Sequence, residues 1–442
     1  MFIFLFFLFF LLLFFSYFIF DKDFLSPSFL FCAMYIISLG FAAINYNSWG
    51  LNDYSSLTFS IVFGGAIIFI LIEFICKFVI YHFRFRRVIN KIKHKRVNKI
   101  VLNKYVTIFI IVLNLFTIIL WYKALKNSGL GFSSFSDMMQ NYRATTSYSL
   151  DSQDIIPGYL QQLAKLLTVC GYFYSFALFF NLANKTIKKA DYYLCIPNIV
   201  IYIIYSILDS NRLNLLGLVG AFVIYYFAIK NVSQQHSNSV KSLFKLIVSF
   251  VIVLFVFYGI RLIVGRTGSE DTDFISYISM YVGAPVKLLD MFIKQPVSDF
   301  TVWGKETFVS INSLLRKMGF DIPKYLMHKE FRIYNGISLG NVYSAYRSWY
   351  SDFGLIGVFS LQSIFSIFYT CYYYILKKKG ILNHQFAFLL YGYFSLALFL
   401  HPIEDWFYSM FVSVGTLTFI IIFAIIYKIA IKDEIYIGEK ND

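Results

Sequence analysis

Charge is scarce in this chain. Only 14% of its 442 residues are Asp, Glu, Lys or Arg, while 59% are hydrophobic. A soluble domain carries ~25% charged residues and roughly 45–50% apolar ones. The composition therefore excludes a soluble globular protein and requires an integral membrane protein. Acid is scarcer still, with 24 Asp and Glu against 39 Lys and Arg, a formal net charge of +15. The basic excess is not a nucleic-acid footprint, because it lies in short segments between apolar runs, as the positive-inside rule expects. The five cysteines (Cys32, Cys76, Cys170, Cys195 and Cys371) contain no C-x-x-C pair, so neither a zinc site nor a redox motif is indicated. P-loop, nucleophile-elbow and HExxH patterns are missing. Ten-residue stretches of alternating polarity are missing too, which excludes a β-barrel. Met1–Phe20 has no basic leader and no small-residue cleavage site, so it reads as a retained first span rather than a signal peptide.

What the chain does have is long apolar runs. A span needs about 20 apolar residues to cross roughly 30 Å of hydrocarbon. Runs of that kind fall near 2–20, 28–45, 57–80, 105–122, 158–182, 192–208, 213–229, 243–264, 348–376, 384–401 and 407–428. The expected fold is an all-α polytopic membrane protein of about eleven transmembrane helices. The 53 Phe and 35 Tyr suit lipid-facing positions and interfacial belts, and leave Tyr or Trp to face sugars. Residues 1–264 form eight spans with short loops, 265–346 one large polar loop, and 347–442 three spans and a short tail.

Charge asymmetry sets an expected orientation. The segment with Arg84, Arg86, Arg87, Lys91, Lys93, Lys95, Arg96 and Lys99 belongs on the cytoplasmic side. Counting spans from there also places Lys185, Lys188 and Lys189, then Lys230 and Lys241, then Lys377, Lys378 and Lys379 inside. Residues 265–346 are then external. Phe274, Ile275, Ile278 and Val282, then Leu288, Leu289 and Phe292, recur at helical spacing; so do Thr307, Phe308, Ile311, Leu314, Leu315 and Met318. These segments read as amphipathic helices that either lie on the membrane face and roof a cavity or pack against the bundle. A many-spanning protein with one large structured polar loop points to chemistry on that side.

Several residues are candidates for that chemistry. Arg261 interrupts an apolar helix end and Arg266 follows it; an arginine there costs at least about 2.5–3.5 kcal/mol unless it snorkels or meets an anion. Arg212 lies in the tight turn Asp209-Ser-Asn-Arg212, where it either pairs with Asp209 or grips a phosphate bidentately. Arg347 lies among aromatics on the external side. Asp352 starts a span, as a helix cap or as an acid for chemistry. His401-Pro-Ile-Glu404-Asp-Trp406 is a short turn with a histidine and two carboxylates. It is either a general-base constellation or a solvated turn anchored by Trp406. Asp271-Thr-Asp273 has the Asp-x-Asp form of a metal site, but it sits in a merely acidic run, so no metal is expected.

Four passages resemble the Wzy-type polymerases of O-antigen and capsule repeat units. They are Ser210-Asn-Arg212 before a span; Tyr281 with its following helix; Gly304-Lys-Glu-Thr-Phe308 with a helix ending near Gly319; and Asn341–Gly357 with its Asp-Phe-Gly-x-x-Gly. Neither Arg143 nor Arg347 has the glycine spacing found in some members. The resemblance implies a GT-C-like helical bundle in the bacterial inner membrane. It implies transfer of a growing glycan from undecaprenyl diphosphate to the non-reducing end of a new lipid-linked repeat unit, on the periplasmic face. Arg212, Arg261, Arg266 and Arg347 would then hold the diphosphate, and His401, Glu404 or Asp352 would act as the base. Arg143, Tyr281 and Lys305 would contribute further substrate contacts. Lipid-linked oligosaccharides, membrane lipid and a chain-length regulator are the implied partners. No nucleotide or other cofactor is expected, because the lipid diphosphate carries the energy. An O-antigen ligase shares donor and bundle, and a flippase for the same lipid is a further alternative. The large loop speaks against the flippase. An external acyltransferase ranks last, because the remaining histidines lie mostly in basic loops.

Overall fold

The computed structural model describes residues 1–82, 97–128, 134–148, 155–211, 213–233, 273–297, 302–323, 325 and 328–436, with isolated positions between 248 and 259. Among the described residues the regular structure is helical apart from two two-stranded ribbons. Eight helices are long and apolar enough to cross a membrane: α1 (Phe2–Ile19), α2 (Pro27–Ile44), α3 (Ser56–His82), α4 (Lys104–Asn127), α6 (Gly158–Ala183), α7 (Lys189–Leu208), α8 (Leu213–Ser233) and α12 (Ala345–Lys379). Two shorter apolar helices, α13 (Gln385–Leu400) and α14 (Val414–Ala430), accompany them. The remaining helices are α5 (Phe135–Tyr148), α9 (Phe274–Ile278), α10 (Ala284–Lys294) and α11 (Val309–Lys317). The span expected at 243–264 lies almost entirely outside the described residues. The protein is an all-α, multi-pass membrane protein.

Side-chain placement supports the membrane reading independently of hydropathy. On α4 the residues turned outward are Ile108, Phe109, Val112, Leu115, Phe116 and Ile119, while Thr107, Asn114 and Thr117 face inward. In water such a surface would aggregate; in a bilayer it is the lipid-facing stripe. The inward polar groups join helices, as where Asn114 Nδ2 donates to Asn198 Oδ1 at 3.1 Å.

The chain forms two compact units. The first comprises Met1–Phe85, Glu270–Lys378 and Ala397–Thr416, and the second Arg86–Ser269, Lys379–Leu396 and Leu417–Asp442. In the second unit, β1 (Val97–Leu102) pairs antiparallel with β4 (Ile431–Tyr436). Asn181 closes the other edge of β1, accepting from Ile100 N and donating to Ile100 O, both at 2.9 Å. Lys99 and Asp191 form an ion pair at 3.2 Å beside it.

In the first unit the large polar loop becomes part of the bundle. α9, a π-helical turn (Ser279–Gly283) and α10 run along α2, and nearly every residue of α10 is buried. Gly283 makes this possible: a Cβ there would lie 2.6 Å from Ala42 N. Ser38 Oγ donates to Val282 O at 2.7 Å at the same crossing. Asp290 of α10 caps the start of α3, accepting from Ser55 N and Thr58 Oγ1, both at 2.9 Å. Of the two expectations, packing against the bundle is the one realised for α9 and α10, whereas in α11 only Asn312 is buried. β2 (Arg332–Tyr334) and β3 (Ile337–Gly340) form a small hairpin ahead of α12. α12 breaks at Gly354, whose φ of 62° is a left-handed value that favours glycine.

The last span needs correction. It was expected from residue 407, but Phe407–Phe411 forms a π-helical turn and α14 begins at Val414. The apolar character of that run has a local cause: Phe407 packs on Phe365 and Phe368, at ring separations of 5.3 and 5.1 Å.

Candidate functional site

His401 is not at a solvated mouth. It is 1% exposed and ringed by Phe31, Tyr346, Trp349 and Phe365 at centroid separations of 4.8–5.1 Å. Its Nδ1 meets Tyr35 Oη at 2.9 Å and its Nε2 meets Gln362 Oε1 at 3.1 Å. Oε1 can only accept, so Nε2 carries the proton and Nδ1 accepts from Tyr35. Burial pushes the imidazole down to about 3. Both nitrogens are occupied and the ring stays neutral, so this histidine is a poor base for an external hydroxyl. The expected external turn is instead an interior plug, because aromatic side chains of α2 and α12 close over it.

Asp405, four residues on, is also interior. It accepts from Trp349 Nε1 at 2.8 Å and from Tyr408 N at 3.0 Å. Burial pushes its carboxyl up to about 7. Glu404 is less enclosed and accepts from Trp406 Nε1 at 3.1 Å.

The charged groups gather around Arg347. Its guanidinium is 3% exposed and pairs with Glu306 through Nη1 and with Glu330 through Nη2, the latter at 2.5 Å. It also lies over the rings of Phe292 and Tyr343, at 4.3 and 4.7 Å. Its Nε is buried without a partner. Glu306 receives a second bond from Ser351 Oγ at 3.2 Å. Glu330 receives one from Tyr343 Oη at 3.0 Å and pairs with Arg332 at 3.1 Å. Burial works against ionisation of Glu330, but Arg347, Tyr343 and Arg332 outweigh it and hold the carboxyl below the usual range. Lys329 donates to Ser348 Oγ at 2.9 Å, and burial pushes its ammonium down.

Asp352 binds this cluster to the loop. Its carboxylate accepts from Glu306 N at 3.0 Å and from Thr307 N at 2.7 Å. It caps the turn at Gly304–Phe308; it lies inside α12, which begins at Ala345, and not at the start of a span as expected. Two passages far apart in sequence, Gly304–Phe308 and Asn341–Gly357, thus meet in one carboxylate-rich cluster.

The other candidates fall as follows. Lys305 lies beside this cluster, with its ammonium 5.8 Å from the Tyr325 ring. Tyr281 packs on Tyr277 at 4.9 Å in the π-helical turn. Arg143 belongs to the second unit. Arg212, Arg261 and Arg266 lie outside the described residues, as does Asp271. Asp273 caps α9 through Ser276 N at 3.3 Å. Among the described residues no cluster of His, Cys, Asp and Glu is arranged to hold a metal. Sequence reasoning missed Glu306, Lys329 and Glu330. The only available signal for Glu306 was its place inside the Gly304–Phe308 passage.

Such a cluster offers carboxylates that can accept hydrogen bonds or a proton from a hydroxyl donor. Arg347 already meets two carboxylates, so it is no free anion clamp in this arrangement. No family model, curated protein or solved structure matches the chain.

Proposed function

We propose that this protein is a glycosyltransferase of the repeat-unit polymerase type, using a polyprenyl-diphosphate-linked oligosaccharide as donor. One observation carries the reading. The Gly304–Phe308 and Asn341–Gly357 passages, both part of the resemblance, fold onto one another through Asp352 and Arg347. In the proposed reaction the acceptor hydroxyl attacks the anomeric carbon of the growing glycan. The bond from that carbon to the diphosphate oxygen breaks, and the lipid diphosphate leaves with its electron pair. The hydroxyl proton passes to a carboxylate, Glu404, Asp352 or Glu306; His401, with both ring nitrogens bonded inside the protein, does not take it. Arg212, Arg261 and Arg266 remain proposed ligands of the diphosphate, with Arg347 orienting Glu306 and Glu330. The same reading assigns about eleven spans, a GT-C-like bundle, an inner-membrane location and a periplasmic active site.

The test is the lipopolysaccharide banding of a strain lacking the protein. A single repeat unit on core supports polymerase. Loss of all repeat units on core would instead favour a ligase or an earlier step. Complementation with Arg261→Ala or Arg212→Ala should restore no long chains while the protein still inserts.

A further inference from the structure

We propose that Lys305 and Arg316 form a separate subsite for a phosphate-bearing anion attached to an apolar tail. The class of ligand rests on the reading above; the site rests on geometry of its own. Arg347 and Lys329 are already committed to protein partners. Lys305 and Arg316 are not: neither has an ion pair among the described residues, and Arg316 Nε is buried with no acceptor. A buried donor left unpaired is costly, which a bound anion would relieve.

Both cations face the same ring. Lys305 Nζ and the Arg316 guanidinium carbon each lie 5.8 Å from the Tyr325 centroid. The frame beneath them is fixed by Asn312, 2% exposed. Its Nδ2 donates to Trp303 O at 3.1 Å, Gly304 O at 3.2 Å and Tyr325 Oη at 3.3 Å. One amide thereby holds the Lys305 turn, α11 and Tyr325 in register. Arg316 also sits in the last turn of α11, where the helix dipole favours a cation. That alone does not explain it, because Lys317 on the same turn is left to solvent while the Arg316 Nε is enclosed. Asp352 acts electrostatically on Tyr325, but its oxygens are taken by Glu306 N and Thr307 N.

Large apolar side chains stand beside the pair. Trp303, Met318 and Phe320 are 69%, 66% and 58% exposed, and one face of Trp303 rests on Phe308 at 5.2 Å. Two unpaired cations next to exposed apolar surface fit an amphiphile with a phosphate head better than a free sugar. The head is a lipid diphosphate or a bilayer phospholipid.

Binding of farnesyl diphosphate to the full chain in nanodiscs of uncharged lipid tests this. The double variant Lys305→Gln/Arg316→Gln should bind at least about tenfold more weakly, since charge-assisted hydrogen bonds are lost. Lys305→Arg/Arg316→Lys should retain most of the affinity. Unchanged melting of the Gln variant excludes loss through misfolding; if it melts early, the charge-conserving pair must still bind and Asn312→Ala must weaken binding. Competition by inorganic pyrophosphate would assign the head to a diphosphate, and competition only by anionic phospholipid in the disc would assign it to the bilayer. Equal binding by wild type and the Gln variant, or no binding by wild type, overturns the subsite. A strain that makes long chains with the Gln variant overturns assignment of the head to the lipid diphosphate donor, yet leaves the polymerase reading intact. A null strain with normal banding would remove that reading and leave the binding result standing.

Discussion

Tyr35 donates its phenolic proton to Nδ1 of His401 at 2.9 Å, well inside the length of α2. Tyr35 lies eight residues after Pro27 and nine before Ile44, about 12 Å from either end of the helix. The segment after α13 therefore reaches the middle of α2.

This burial gives a pH signature. His401 is pushed down to about 3, so below its ordinary value the unfolded chain binds the extra proton and stability rises with pH. Asp405 is pushed up to about 7, so above its ordinary value the folded chain binds the extra proton and stability falls with pH. The two slopes, each up to ~1.4 kcal/mol per pH unit, oppose between about pH 4 and 6.5. Melting in detergent across that window should be nearly flat for the wild type. It should fall with rising pH in His401→Phe and rise in Asp405→Asn. Parallel profiles in all three proteins would contradict the burial.

Arg347 bridges Glu306 and Glu330. Arg347→Ala leaves the two carboxylates facing each other and should cost about 3 kcal/mol, the lower end for a broken buried pair because both acids are partly exposed. Adding Glu306→Gln and Glu330→Gln should recover most of the loss. Thermal unfolding of the single and triple variants checks this. A triple variant no more stable than Arg347→Ala would show that charge is not the cause.

Gly283 lets the polar loop touch the α2 backbone. Gly283→Ala sets a Cβ 2.6 Å from Ala42 N and should destabilise by about 1–3 kcal/mol. Gly158→Ala, where a Cβ would meet nothing within 4 Å, serves as the control and should not destabilise. Equal melting of the two variants would mean that the crossing is not tightly packed.

From charge asymmetry we predict Lys305 outside and Lys93 inside. A phosphatase fused near Lys305 should be active and one fused near Lys93 inactive. The reverse pattern would invert the orientation and with it the proposed side of catalysis.

The sequence alone determined the membrane class, because lipid demands long apolar runs and the runs are visible one by one. It located the described spans to within a few residues, except the last. There, burial against protein and burial in lipid select the same side chains, so Phe407 looked like the start of a helix in lipid. Composition marked residues 265–346 as polar, and helical spacing within them pointed to the helices α9, α10 and α11. Side-chain partners were another matter. An acid and a histidine in one turn read alike whether solvated or enclosed; only the burial supplied by α2 and α12 pushes the His401 imidazole down and the Asp405 carboxyl up. Arg347 looked free because its two acids lie 41 and 17 residues away. Among the described residues, tertiary structure decided that Arg347 is spent on protein carboxylates while Lys305 and Arg316 have no ion pair, because ion pairing depends on distances in space that sequence spacing does not carry.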